Sequence, residues 1–239
     1  DYAEAMAADD VARLATETGV QYYGVHTSCR KAADRLAAYQ DDGSQIRAET
    51  CTNYTVCDES VYADRGTLAM AAPPFRTQDD IEALFEHLGD GVLSVVSTDH
   101  NAYNRSSKET EHWWESTFET NDLQRSLVVF HDGAVVRRGV SYPALVRYMS
   151  TNPARTFGMP EKGTLEPGTD ADVVVFDPEA TQVIAAADNA SNADFTVHEG
   201  REVTGRVEKT FVRGELVAED GEIVAPAAHG QFVERECPD

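Results

Sequence analysis

Val92 to Asn101 reads VLSVVSTDHN. An apolar run of strand length breaks off into Ser97, Thr98, Asp99 and His100. A buried strand that delivers a carboxylate at its C-terminal tip is how an α/β barrel presents a metal-bound catalytic acid. Val20 to Ser28, VQYYGVHTS, is a second short β-rich run, and it reaches His26. One tip offers an imidazole and the other a carboxylate, which suggests half of a hydrolase metal site. Each residue also has a plainer reading. Asp99 can cap the turn that follows it, and His26 can be a satisfied loop or core histidine. His100 should point away from Asp99 if strand geometry persists. His87, His112, His131, His198 and His229 have no partner spacing and read as structural. The chain holds no His-x-His pair. One histidine and one aspartate fall short of the roughly three protein ligands of a catalytic zinc.

Outward from these tips the chain alternates. Helical spacing predicts a helix over 3–18, stopped by Gly19. A strand over 20–26 follows, then a helix over 30–40 with Ser28 as its cap. Ile46 to Thr50 reads as a strand, Asp79 to Leu88 as a helix capped by Thr77, and Val92 to Val96 as a strand. This β-α-β-α-β rhythm implies parallel strands covered by helices. The polar stretch Asn101 to Gln124, with Trp113 and Trp114, reads as a loop and lid over a site. Leu127 to Ala134 and Tyr142 to Ser150 read as two more helices. From Gly163 onward the segments are short and bounded by glycine. Gly163 to Leu165, Ala171 to Phe176, Arg206 to Arg213 and Glu215 to Ala218 are expected to be strands of an all-β region. Gly214 and Asp220-Gly221 are expected tight turns.

Composition narrows the partners. The 239 residues carry 42 acids against 20 bases, for a formal net charge of −22. Such a field repels nucleic acid and anionic membranes, and no apolar run approaches the ~20 residues of a membrane span. Lysine is scarce (Lys31, Lys108, Lys162, Lys209), and the acids are dispersed along the chain. Both features fit a halophilic protein kept soluble in high salt; a cation-binding surface is the other reading. Cys29, Cys51, Cys57 and Cys237 form no CxxC pair and no zinc knuckle. They are expected to be reduced core thiols of a cytoplasmic protein. Cys29 lies three residues after His26, where a small apolar filler is the plain reading. No Gly-x-Ser-x-Gly elbow or phosphate-binding glycine loop is present. Asp1-Tyr2-Ala3-Glu4 lacks an initiator methionine, a basic start and an apolar core, so the chain is expected to begin inside something longer or to be processed.

Several segments together resemble the hydantoinase and dihydropyrimidinase family of cyclic amidohydrolases. YYGVHTSCRKAAD (Tyr22 to Asp34) is similar to that family's motif of a histidine, a small-residue pair and a helix. AETCTNYTV (Ala48 to Val56) resembles its Glu-Thr-Cys-Pro segment, and AAPPFR (Ala71 to Arg76) its Pro-Pro-Leu-Arg motif. VVSTDHNAYN (Val95 to Asn104) resembles its Ser/Thr-Asp-His tip. NPARTFGMPEKGTLEPGTDADVVVFDP (Asn152 to Pro178) is the most specific match, and RGELVAEDGEIV (Arg213 to Val224) supports it. The resemblance implies an α/β fold: the C-terminal half of a TIM-type (β/α)8 barrel over 1–162, then part of a small β-sandwich over 163–239. It implies a centre of two divalent metals, usually zinc, at which a bridging hydroxide attacks the carbonyl of a cyclic amide. By motif position His26 would be a metal ligand. Asp99 would be both ligand and proton shuttle to the leaving nitrogen, roles that suit a barrel-tip carboxylate. Ala72 and Asn121 would touch the substrate through their backbones. A homo-oligomer, tetramer or dimer, is also implied.

The chain departs from that pattern. The family's His-x-His strand, carboxylated lysine and first strand-tip histidine would all lie upstream of Asp1. Ala72 stands where relatives often carry serine, and Asn53 replaces the usual His or Gln. The substrate loop reads NDLQRS from Asn121 to Ser126, which leaves substrate identity open. An allantoinase, a dihydroorotase, an N-acyl-amino-acid deacylase or a non-catalytic scaffold relative are the other readings. A half-barrel would leave parallel edges and an inner face open. The 239-residue chain alone is therefore expected to be poorly stable or to associate, and a cooperative melt of a monomer would count against this.

Overall fold

The computed structural model describes residues 1–236; Cys237 lies outside the described residues. Two compact units form: 1–130 with 185–200, and 131–184 with the chain from 201 onward.

In the first unit, helix α1 (Tyr2–Thr18) starts at Asp1, whose carboxylate accepts from the Tyr2 N–H. It stops at Gly19, whose φ of 70° is the left-handed conformation that glycine adopts at no steric cost. Its buried stripe of Ala5, Ala12 and Ala15 packs on helix α2 (Arg30–Asp41), which buries Ala32, Ala33 and Leu36. Ser28 does not cap α2, contrary to expectation. Cys29 occupies the cap position without a side-chain bond. The Ser28 N–H and hydroxyl instead donate to Glu4 at 2.7 and 2.6 Å, because α1 brings that carboxylate within reach.

Strands β1 (Tyr22–Gly24), β2 (Ile46–Cys51) and β3 (Val95–Ser97) form a parallel sheet in that order, with β2 central. The expected rhythm holds, with shorter outer strands. Between β2 and β3 come helix α3 (Val61–Arg65) and helix α4 (Gln78–Gly89). Thr77 closes α4 with a reciprocal capping box to Asp80, and Ile81, Ala83, Leu84 and Leu88 are its buried face. After β3, helix α5 (Arg105–Lys108) and short turns carry the 101–124 stretch, and helix α6 (Ser126–Phe130) ends this part of the unit. The stretch is exposed at Trp113 and Trp114, yet Lys108, Thr120, Asn121 and Asp122 are buried.

In the second unit, a wide helical turn over 131–136 precedes helix α7 (Tyr142–Val146), a further wide turn over 147–151, and helix α8 (Asn152–Thr156). Strands β4 (Val173–Val183), β5 (Glu202–Val212), β6 (Glu215–Glu219) and β7 (Glu222–Ile223) then form an antiparallel meander. Both expected hairpin turns form. Arg213-Gly214 and Asp220-Gly221 all have positive φ, the backbone that matches strand twist in a two-residue loop. Strand β4 runs beyond Phe176, where the expected strand ended, and through Pro178. A register shift absorbs the proline, and the Asp177 side chain accepts the N–H groups of Glu179 and Ala180.

The expectation of an all-β region from 163 is corrected in two places. Gly163 to Leu165 is not a strand, and 184–201 carries only a short helical turn, Ala186–Asp188. The segment 185–200 packs within the first unit and buries Ala193, Phe195 and Val197. Side chains take the place of a neighbouring strand. Arg125 donates to the Ala185 carbonyl, Gln124 to that of Asp188, and Asn121 and Asn189 to that of Phe195. Among the described residues no helix is long and apolar enough to cross a membrane.

Candidate active site

His26 and Asp99 sit just beyond the C-terminal ends of β1 and β3, on either side of the central strand. Both are in the left-handed region, at φ of 42° and 48°. A non-glycine residue there costs on the order of 1 kcal/mol and persists only where the surroundings impose it. The central strand supplies the constraint. Glu49 on β2 is buried. Its carboxylate accepts from the Tyr23 hydroxyl at 2.6 Å, from the Ser97 hydroxyl at 2.6 Å and from the His26 N–H at 3.4 Å. The Glu49 carbonyl takes the Thr27 N–H at 2.9 Å. One acid therefore ties the backbone of the first tip to a side chain of the last. Burial, and then Glu49, push the Tyr23 phenol far up, so it stays a donor. Burial likewise raises the Cys51 thiol well above its usual value.

Asp99 faces a second carboxyl, Glu119. Burial first, then the hydrogen bond and charge of Asp99, push Glu119 up to about 8. Burial and the neighbouring Asp99 charge thus both favour the protonated form of Glu119. The same carboxyl accepts from the Ala72 N–H at 3.3 Å. Lys108 holds the two loops that meet here. Fully buried, its ammonium donates to the carbonyls of Met70, at 2.8 Å, and of Glu119. Burial lowers it to about 8. Asn53 donates to Thr120 at 2.9 Å. Asn121 is buried, and its amide donates to the Phe195 carbonyl. His100 turns to the same loop, where its Nδ1 accepts from the Leu123 N–H at 3.2 Å.

Thus Asp99 and Ala72 meet at one carboxyl, with Asn121 two residues further along. Glu49, Glu119 and Lys108 escaped the sequence reading. Glu49 left one usable signal, a lone acid inside a β-rich run. Glu119 and Lys108 are single charges in a polar stretch and left none.

Imidazole and carboxylate are donors that suit zinc and other divalent ions. Among the described residues no group of three or more His, Cys, Asp or Glu is arranged to hold such an ion. His26 and Asp99 are chemically suited to such an ion but do not make a ligand set by themselves.

Parallel strands that present a histidine and an acid beyond their tips, followed by an antiparallel sheet, are the arrangement of a partial TIM-type α/β barrel with an appended β region. The chain belongs to the amidohydrolase family, whose model matches residues 1–217. It is 34% identical over 239 residues to the D-hydantoinase of Streptomyces coelicolor, covering 97% of this chain and 51% of that protein. An allantoinase of Enterococcus faecalis is 28% identical, with 97% and 51% covered. The crystal structure of dihydropyrimidinase from Brevibacillus agri superposes with a TM-score of 0.93 at 29% identity, over 97% of this chain and 52% of that one. The resemblance to hydantoinases and dihydropyrimidinases is borne out, as is the fold class it implied. The chain spans about half the length of the curated relatives it matches.

Proposed function

We propose that this chain carries the proton-transfer half of a metal-dependent hydrolase that opens cyclic amides of the hydantoin and dihydropyrimidine type. The observation that supports this most directly is Asp99, held in a strained backbone beyond β3 beside Glu119, whose carboxyl also engages Ala72. In this reading residues 1–162 belong to the barrel and 163–239 to the β-sandwich segment of a second domain. The enzyme is a cytoplasmic homo-oligomer.

His26 and Asp99 would supply two ligands of a divalent-metal centre, two zinc ions in the longer protein. A metal there contributes Lewis acidity at the ring carbonyl. The chain's own residues handle the proton. An Asp99 carboxylate oxygen accepts a proton from the attacking water and returns it to the ring nitrogen as the C–N bond breaks. Glu119, beside Asp99, would help orient that carboxylate. Glu49 holds both tips in register through His26 N and Ser97. The Ala72 N–H already donates to Glu119, so a substrate contact at Ala72 exchanges that hydrogen bond or uses the carbonyl.

A second reading is allantoin hydrolysis. The match to an allantoinase over the same share of the chain favours it, as does the altered loop from Asn121 to Ser126. One assay tests both readings. The full-length protein is incubated with hydantoin, dihydrouracil and allantoin before and after chelation. Ring opening of at least one substrate is expected, lost on chelation and restored by zinc. No turnover of any of the three after metal reloading would overturn the proposal.

A further inference from the structure

The first unit holds a second group of reactive side chains, away from the strand tips. Cys57 follows a helical turn, Thr52–Thr55, and its Sγ lies 3.8 Å from Nδ1 of His198. Across the ring, Nε2 lies 3.2 Å from Oδ1 of Asp122. That contact is an ion pair off the ideal hydrogen-bond angle. The other Asp122 oxygen accepts from the Thr120 hydroxyl at 2.7 Å, which fixes the carboxylate. His198 and Asp122 are sealed, whereas Cys57 is 6% exposed. Thiol, imidazole and carboxylate thus stand in the order in which a base takes a nucleophile's proton and an acid orients the base.

We propose that Cys57, His198 and Asp122 form a thiol relay that makes Cys57 a reactive cysteine toward small soft electrophiles, alkyl halides and peroxides. The thiol proton rests on Nδ1 of His198 before the electrophile arrives, so with iodoacetamide the thiolate forms the S–C bond, iodide leaves and His198 stays an imidazolium. With hydrogen peroxide, sulfur takes one oxygen as the O–O bond breaks, and the thiol is oxidised to sulfenic acid. The second oxygen, reduced, takes the proton from His198 and leaves as water. Nε2–H remains directed at Asp122 throughout, which holds the tautomer.

The charge state of His198 supports this. Burial works against the imidazolium, but Asp122 and then Cys57 outweigh it and raise His198 to about 9. The other two buried thiols lie elsewhere. Cys51 faces the Ser97 hydroxyl, and burial raises its thiol well above the usual value. Cys29 faces the Asp1 carbonyl, and burial followed by Glu4 raises it to about 11. No sequence spacing joins 57, 122 and 198, which is why these residues read separately as a core thiol, a loop acid and a structural histidine.

Timed alkylation tests the relay without reference to hydrolysis. A full-chain Cys237→Ser variant is treated with iodoacetamide at pH 7, and Cys29, Cys51 and Cys57 are followed by peptide mass spectrometry. Cys57 is expected to react at least about tenfold faster than the other two. A His198→Asn variant that keeps the parent's circular dichroism should lose that advantage. If that variant does not fold, the parent's pH profile decides. An ordinary thiol accelerates about a hundredfold from pH 6 to 8, whereas Cys57 should accelerate about threefold or less. Cys57 reacting no faster than Cys29 and Cys51, keeping its rate in folded His198→Asn, or following the ordinary pH profile would each overturn the proposal.

Discussion

Replacing Asp99 with alanine should lower kcat/KM of the full-length hydrolase by about three to four orders of magnitude. The substitution removes two things at once: a carboxylate ligand, and the group that carries the proton to the leaving nitrogen. Asp99→Asn separates them. Its amide keeps the shape but cannot accept a proton, so kcat should still fall by at least about a hundredfold, with a smaller change in KM. The prediction is strong because Asp99 is held, not merely present. Its left-handed φ of 48° and its contact with Glu119 leave it little freedom to be replaced by a neighbour. Initial rates on the best cyclic substrate, with metal content measured in each variant, decide the matter. Metal-dependent turnover that survives Asp99→Ala would refute the role given to this residue.

Replacing Asp122 with alanine should cost the fold about 3–5 kcal/mol at neutral pH, because it leaves the sealed His198 imidazolium without its counter-charge. The sign of the pH dependence is specific. In the folded chain His198 is raised to about 9 from its ordinary 6.5. The stabilisation is therefore complete below pH 6.5 and fades as pH rises through 9. Urea melts of parent and variant at pH 6, 7.5 and 10 should show a gap that is widest at pH 6 and narrows by on the order of 3 kcal/mol at pH 10. A gap that stays constant with pH would show that His198 is not charged in the native state. Burial lowers Lys108 to about 8, and Asp122 partly offsets that lowering, so its loss destabilises the variant further at low pH and widens the gap in the same direction.

Much of the frame was legible from local sequence. Glycine at position 19, threonine at 77 and Asp220-Gly221 act through hydrogen bonds or φ values set within a few residues, so composition at those sites was enough. The apolar run leading to Asp99 marked a strand end because Val95 and Val96 are buried in a parallel strand, which leaves a continuous apolar signature. Ser28 misled because the competing acceptor, Glu4, lies on another helix. The strand expected to end at Phe176 runs on to Val183 because a register shift and the Asp177 side chain accommodate Pro178.

By itself, the sequence determined that strands end on an imidazole and a carboxylate, that parallel α/β gives way to antiparallel β, and that the motifs are those of cyclic amidohydrolases. Only the tertiary structure decided how those tips are held: Glu49 beneath them, Glu119 against Asp99, Lys108 between two loops, and Asp122 with His198 and Cys57. The physical reason is that a buried charge is tolerable only beside its partner. Such partners meet across tens of residues as single side chains, and no periodicity records the meeting.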